Sequence, residues 1–253
     1  MNKNSALRNQ QENIVINVVN ASTLQEISSN GEVIVEGENA DILIEQPLTA
    51  KSLSVNANNI SAEAITTDEK INITVENDIV LNGNVVSNGV IDTLVDDSIL
   101  LSGNTLTANN GSNIIADNGP LDIFINDQMN VNTLEGDVVN ITSLVNGFTN
   151  SVVVTGNINS KVGDTNIVGN TLDIAGDINS NGSVLLTSLS IDDDTSTVNS
   201  ISTENTLTLN AKNDFVVDGN VTANAITADV KELTTNGTIE TASNVDILSL
   251  IHI

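Results

Sequence analysis

The chain has 253 residues, with 33 acidic and 7 basic side chains and a formal net charge of −26 at pH 7. This charge excludes nucleic-acid binding, which needs clustered Lys and Arg to neutralise phosphates, and the absence of Cys excludes disulfides and thiolate metal sites. Aromatic residues make up only 1% of the chain, so the composition predicts a thin, regular core of Val, Ile, Leu and Ala.

The first thirteen residues, Met1–Asn13, are polar and lack the apolar stretch of a secretory signal. We expect them to be a leader or cap that flanks a repeat domain over residues 14–247. No apolar run in the chain exceeds three residues. A membrane span, which needs about 20 apolar residues, is therefore not expected.

Two distant segments follow one template. Residues 71–85 read INITVENDIVLNGNV and residues 207–221 read LTLNAKNDFVVDGNV. In both segments apolar residues alternate with polar ones around an Asn-Asp corner and a Gly-Asn corner. This period of two is typical of a β-strand and not of a helix.

A twenty-residue period runs through the second half of the chain. Gly-Asp-Val at residues 136–138 is followed by Gly-Asn-Ile at 156–158, Gly-Asp-Ile at 176–178 and Ser-Thr-Val at 196–198. A unit this short cannot close its own apolar face, so successive units are expected to stack. The period predicts an all-β, single-chain parallel β-solenoid (β-helix) of about 20 residues per turn.

Three sets of residues should then occupy equivalent positions on successive turns. We expect one shared corner for Gly136, Gly156 and Gly176. We expect one shared core for Val138, Ile158, Ile178 and Val198. We expect a side-chain amide ladder from Asn159, Asn179 and Asn199, the device that stabilises stacked strands in cross-β assemblies.

Two alternatives to the solenoid stay open. A β-sandwich also uses many short strands separated by turns, although sandwiches usually fill the space between their sheets with large aromatic residues. An Asn-rich chain could also match itself at some period by chance. Parallel pairing at a spacing of about 20 residues would decide for the solenoid.

The densest acidic run is Asp192-Asp193-Asp194. It falls where the twenty-residue unit would place the strand seen at residues 172–174, so we expect a loop or insertion there. Calcium prefers several oxygen ligands, which makes these three residues a candidate calcium site. The EF-hand spacing and the glycine-rich nonapeptide are both absent, and a solvated loop is the other interpretation. We expect no other cofactor.

The last six residues, Leu248–Ile253, are more apolar than the sequence that precedes them. They resemble the translation of a sequencing adapter, so we expect a non-native tail that adds nothing to the core. The only His of the chain, His252, lies within this segment. Without another His, a hydrolytic triad lacks its usual base, and we expect no catalytic residues.

The units at residues 71–79 and 172–178, with Asn-Asp-Ile or Gly-Asp-Ile after a short alternating strand, resemble the β-helix repeats of filamentous haemagglutinin-like adhesins. Residues 219–226 (GNVTANAI) are similar to the shafts of bacteriophage tail fibres. The first resemblance implies a protein at the cell surface or outside the cell, with a host-surface or matrix ligand. The second implies a homotrimeric shaft on a virion.

These expectations describe a non-enzymatic structural or adhesive rod that displays a binding surface outside the cell. A monomer is favoured over a trimer, because the alternating apolar positions suffice for a single-chain core and the charge opposes lateral packing. A β-helix polysaccharide lyase or glycosidase is the remaining alternative. Such enzymes generally use aromatic and basic groups to hold sugars, and this chain has no Trp or Tyr and few Lys and Arg.

Overall fold

The computed structural model describes residues 7–9, 13–95, 97–108, 112–143, 151–190 and 194–249. Within these ranges the regular elements are all β-strands. The alternation of apolar and polar residues in the sequence appears as alternating buried and exposed side chains. The described residues form no helix that could cross a membrane. The chain divides into two units, Met1–Ile125 and Asn126–Ile253.

The strands of unit 1 are short where a corner at Gly or Asn interrupts them, and long where two or three strand segments join without a corner. They are β1 (Leu7–Asn9), β2 (Ile14–Asn17), β3 (Ser22–Leu24), β4 (Ile27–Ser29), β5 (Glu32–Ile44), β6 (Leu48–Ala62), β7 (Ile65–Val75), β8 (Ile79–Leu81), β9 (Val85–Ser87), β10 (Val90–Val95), β11 (Ile99–Ala108) and β12 (Ser112–Ala116). The strand β13 (Leu121–Val131) contains the residues at which the two units divide.

The strands of unit 2 follow the same style. They are β14 (Thr133–Gly136), β15 (Val139–Thr142), β16 (Ser151–Val154), β17 (Ile158–Ser160), β18 (Thr165–Gly169), β19 (Thr171–Ile174), β20 (Ile178–Ser180), β21 (Val184–Ser188), β22 (Thr195–Val198), β23 (Ile201–Thr203), β24 (Thr206–Val217), β25 (Val221–Ala223), β26 (Ala225–Thr235), β27 (Ile239–Thr241) and β28 (Val245–Ser249).

Parallel pairing between successive turns confirms the β-solenoid and excludes the β-sandwich. In unit 1, Ile60 pairs with Ile79 and Ile79 with Ile99, nineteen and twenty positions apart. In unit 2, Ile158 pairs with Ile178, twenty positions on. The chain therefore coils with about 20 residues per turn, as the period predicted.

The core of each unit consists of stacked aliphatic side chains, one from each turn. One stack in unit 1 contains Val33, Leu53, Ile71 and Ile91, with each side chain at most 1% exposed. One stack in unit 2 contains Leu134, Ile158, Ile178, Ile201 and Val221. These stacks bury apolar area without large aromatic residues, and burial of this kind contributes about 25 cal/mol per Å².

The shared template takes the same place in the two cores. The inward-facing apolar positions of residues 71–85 and of residues 207–221 are all buried, whereas Val80 and Val216 face outward and are half-exposed. The inward-facing positions are Ile71, Ile73, Val75, Ile79, Leu81 and Val85 in unit 1, and Leu207, Leu209, Ala211, Phe215, Val217 and Val221 in unit 2. The largest of them, Phe215, is 0% exposed, so an aromatic ring fits where the other turn has Ile79.

The predicted four-copy register is correct only at its central step. A Cβ on Gly176 would lie 2.0 Å from the carbonyl oxygen of Gly156, so these two glycines share a corner as expected. Gly136, in contrast, pairs with Ser160.

The prediction for Val138 is also wrong, because Leu134 takes the core position above Ile158 and Val138 is half-buried. Val198 is buried, but it pairs with Ile174 and belongs to a different stack from Ile178. The cause is turn length. Leu134 pairs twenty-four positions on, and Ile174 does the same, so each of these turns is four residues longer than the predicted period.

The amide ladder exists in part. The side-chain amide of Asn179 donates to Oδ1 of Asn159 over 3.1 Å, which confirms that rung. Asn199 does not join it, because its amide donates to Oδ1 of Asp177 over 2.9 Å. The four-residue lengthening between β19 and β22 displaces Asn199 from the predicted position.

Candidate functional site

The predicted calcium site lies mostly outside the described residues. Asp192 and Asp193 are not described, whereas Asp194 is exposed and accepts a hydrogen bond from the Ser190 hydroxyl over 3.2 Å. The register lengthens by four positions across this segment, as expected for an insertion. Within the described part of the chain, no group of three His, Cys, Asp or Glu side chains could hold a metal ion. Calcium binding at Asp192–Asp194 stays a prediction.

A groove of about 480 Å³ crosses four successive turns of unit 1. Its floor is largely apolar and includes the buried Ile42 and Ile60 and the half-exposed Leu43 and Val80. Outward-facing Leu43, Ser61 and Val80 lie on adjacent turns, because Leu43 pairs with Ser61 and Ser61 with Val80. We call this surface the Asp41 groove, after the acidic residue on its edge.

Carboxylates and amides form a hydrogen-bonded ladder along the edge of the Asp41 groove. Asp41 accepts two bonds at Oδ1, from the amides of Asn58 over 2.9 Å and Asn59 over 2.6 Å. One turn on, Oδ1 of Asn59 accepts the backbone N–H of Asp78 over 2.9 Å. Oδ1 of Asp78 in turn accepts the hydroxyl of Ser98 over 2.6 Å and its backbone N–H over 3.2 Å.

This ladder favours the charged form of Asp41. The hydrogen bond from Asn59, followed by that from Asn58, lowers the pKa of Asp41 below its ordinary value, because both donors favour the ionised form. In Asp41 and in Asp78, Oδ1 is the oxygen that accepts the hydrogen bonds of the ladder. The Oδ2 atoms accept no hydrogen bond from the described residues and remain available to a ligand.

A second groove, of about 430 Å³, lies in unit 2 beside Leu189, Lys212 and Lys231. Lys231 forms an ion pair with Asp214 over 3.5 Å, and Asp229 also lines the groove. Two cations and two carboxylates therefore balance, and the local charge favours neither anions nor cations.

Sequence reasoning missed the Asp41 groove, although a signal for it was present. At four positions a polar residue directly precedes an Ile, and these four positions lie above one another on successive turns. These pairs are Asp41-Ile42, Asn59-Ile60, Asp78-Ile79 and Ser98-Ile99. Their spacings of eighteen, nineteen and twenty residues hid them from a search at a fixed period.

No protein-family model, no curated protein and no solved structure matches the chain.

Proposed function

We propose that this chain is a non-enzymatic structural or adhesive repeat protein that displays a binding surface outside the cell. The observation that carries the proposal is the division between core and surface within each unit. Inward positions hold stacked aliphatic side chains, and outward positions hold polar ladders such as Asp41–Asn59–Asp78. Such a scaffold presents the same kind of surface turn after turn.

The proposed assembly state is a monomer. The stacks Val33–Leu53–Ile71–Ile91 and Leu134–Ile158–Ile178–Ile201 are buried by residues of one chain. A fibre shaft that shares its core among three chains would leave such stacks open in a single copy. A net charge of −26 per copy also opposes close packing of copies.

The proposed absence of catalysis is supported by the lowered pKa of two surface carboxylates. A general acid needs a pKa raised towards neutrality, whereas the pKa of Asp41 is lowered. The pKa of exposed Glu69 is also lowered, chiefly by the hydrogen bond from Lys51, whose Nζ lies 3.0 Å from Oε1 of Glu69. Both carboxylates are suited to binding and not to proton donation.

Light scattering in moderate salt tests the assembly state. We expect the mass of one chain across a tenfold range of concentration. A stable trimer would instead support the alternative, a bacteriophage tail-fibre shaft.

A depolymerisation assay on acidic and neutral polysaccharides tests the absence of catalysis. We expect no release of reducing ends or unsaturated products. Product release that disappears on replacing a single Asp or Glu would establish the lyase or glycosidase alternative. Retention of chain-coated beads on immobilised glycans and matrix proteins then tests adhesion itself.

A further inference from the structure

The Asp41 groove combines an apolar floor with an acidic edge. Leu43 and Val80 are half-exposed on the outer face, and Asp41 and Asp78 lie beside them. The described residues that line this groove include no Lys or Arg. A ligand that fits must therefore offer both apolar groups and positive charge.

The two carboxylates have a defined spacing. Asp41, Asn59 and Asp78 lie on successive turns, and paired strands lie about 4.8 Å apart, so the two Asp positions are separated by about 9.6 Å. The Asn59 amide between them is already engaged with Asp41, and its carbonyl oxygen accepts the Asp78 backbone N–H. The edge thus presents two ionisable carboxylates separated by one neutral rung.

This spacing matches one peptide conformation better than others. A polyproline II segment rises about 3.1 Å per residue with three residues per turn, so every third side chain points the same way at intervals of about 9.3 Å. In a β-strand, side chains on one face recur at about 6.6 Å, which does not fit. The groove also runs across the turns, and an extended segment could lie along it.

We propose that the Asp41 groove binds an extended cationic peptide segment with Lys or Arg at every third residue and aliphatic residues or Pro between them. The inference rests on the proposed function, because it names the ligand class of one binding surface of that scaffold. A second copy of the chain is a poorer occupant, since each copy carries a charge of −26.

Fluorescence anisotropy with a labelled nonapeptide of three Lys-Pro-Leu units tests the proposal at low salt. The comparison peptide has the same composition, with its three Lys at alternate positions. We expect saturable binding of the first peptide and weaker binding of the second. We also expect salt to weaken the interaction, since exposed charge pairs are screened.

Three substitutions assign the binding to the groove. Asp41→Asn and Asp78→Asn should each weaken binding by about threefold and together by about tenfold, as exposed ion pairs do. Val80→Ser should weaken it without any change of charge.

The matched control is Asp92→Asn. Asp92 is half-exposed in the same unit, accepts a hydrogen bond from Asn113 over 3.1 Å and does not line the groove. Its replacement removes the same charge and should leave binding unchanged. Circular dichroism should show that every variant stays folded.

Three outcomes would overturn the inference. The first is no saturable binding of the nonapeptide. The second is equal loss of binding in Asp92→Asn and Asp41→Asn, which would indicate general attraction to an acidic chain. The third is dimerisation that Leu43→Ser abolishes, which would make a second copy the occupant. The first two leave the proposed monomeric, non-catalytic scaffold standing, because light scattering and the depolymerisation assay test that separately.

Discussion

Thr165 places a hydroxyl inside an aliphatic stack of unit 2. Its neighbours on the turns before and after are Val139 and Val184, and Leu207 follows. The residue is 0% exposed, and its Oγ1 has no hydrogen-bond partner among the described residues. Burying an unsatisfied hydroxyl costs about 1–3 kcal/mol.

Thr165→Val should therefore stabilise unit 2. Val has nearly the same shape, and its second methyl group would contact the neighbouring side chains in place of the hydroxyl. The gain should be about 1–2 kcal/mol, which is the desolvation cost less any rearrangement of the stack. Urea unfolding followed by circular dichroism should show a higher midpoint with an unchanged slope.

The matched control is Thr67→Val in unit 1. Thr67 is also buried, but its hydroxyl donates to Oγ of Ser87 over 3.1 Å. This replacement should destabilise by about 1 kcal/mol, because it removes a satisfied hydrogen bond. A loss of stability in Thr165→Val equal to that in Thr67→Val would refute the reasoning, since it would mean that the Thr165 hydroxyl has a partner such as a buried water.

Three further outcomes are expected. Gly176→Ala should destabilise unit 2 by several kcal/mol (about 2–4) in urea unfolding, because the new Cβ would meet the backbone of Gly156 at 2.0 Å, whereas Gly→Ala at an unhindered position changes stability by only about 1 kcal/mol. Because the pKa of Asp41 is lower in the folded chain than in the unfolded chain, where it is near 3.8, its ionised form stabilises the fold above that pH, and this stability is lost as pH falls through the folded pKa. The urea midpoint of Asp41→Asn should therefore fall less than that of the parent chain below about pH 4. Deleting residues 248–253 should lower the free energy of unfolding by less than about 1 kcal/mol, because Leu248, which pairs with Asp229 in β28, is 67% exposed, and a loss of several kcal/mol would show that the segment packs against the core.

The fold could be predicted because its cause is local and repeated. Alternation at the template 71–85 marks which side chains face inward, and the need to stack short units determines the coil. The register could not be predicted fully, because the inward stacks fix which residues pair while the turns between them differ in length. Val138 and Leu134 are both aliphatic, and the local sequence does not show which of them lies above Ile158.

The surface was harder to predict than the core, because the same residue pair behaves differently in the two copies of the template. In unit 1 the Asn77 side chain is half-exposed and donates to Asn58 over 2.7 Å. In unit 2 the matching Asn213 is 0% exposed, because β24 continues through this point with a shift of register between Ala211 and Asp214. The Asn-Asp pair forms a corner in unit 1 and is part of a strand in unit 2, and the identical residues do not show which of the two will occur.

The variable turn length makes the solenoid a scaffold for grafting. Leu48 pairs with Ile65 only seventeen positions on, whereas Val139 pairs with Thr165 twenty-six positions on, and both pairs are buried. The length of a turn can thus vary by nine residues while the buried stacks persist, since the entropy of closing a loop grows only slowly with its length. Peptide epitopes or enzyme recognition tags inserted between Ser190 and Asp194, within a turn whose register is already four positions longer than that of the turn before it, should be displayed without loss of the fold.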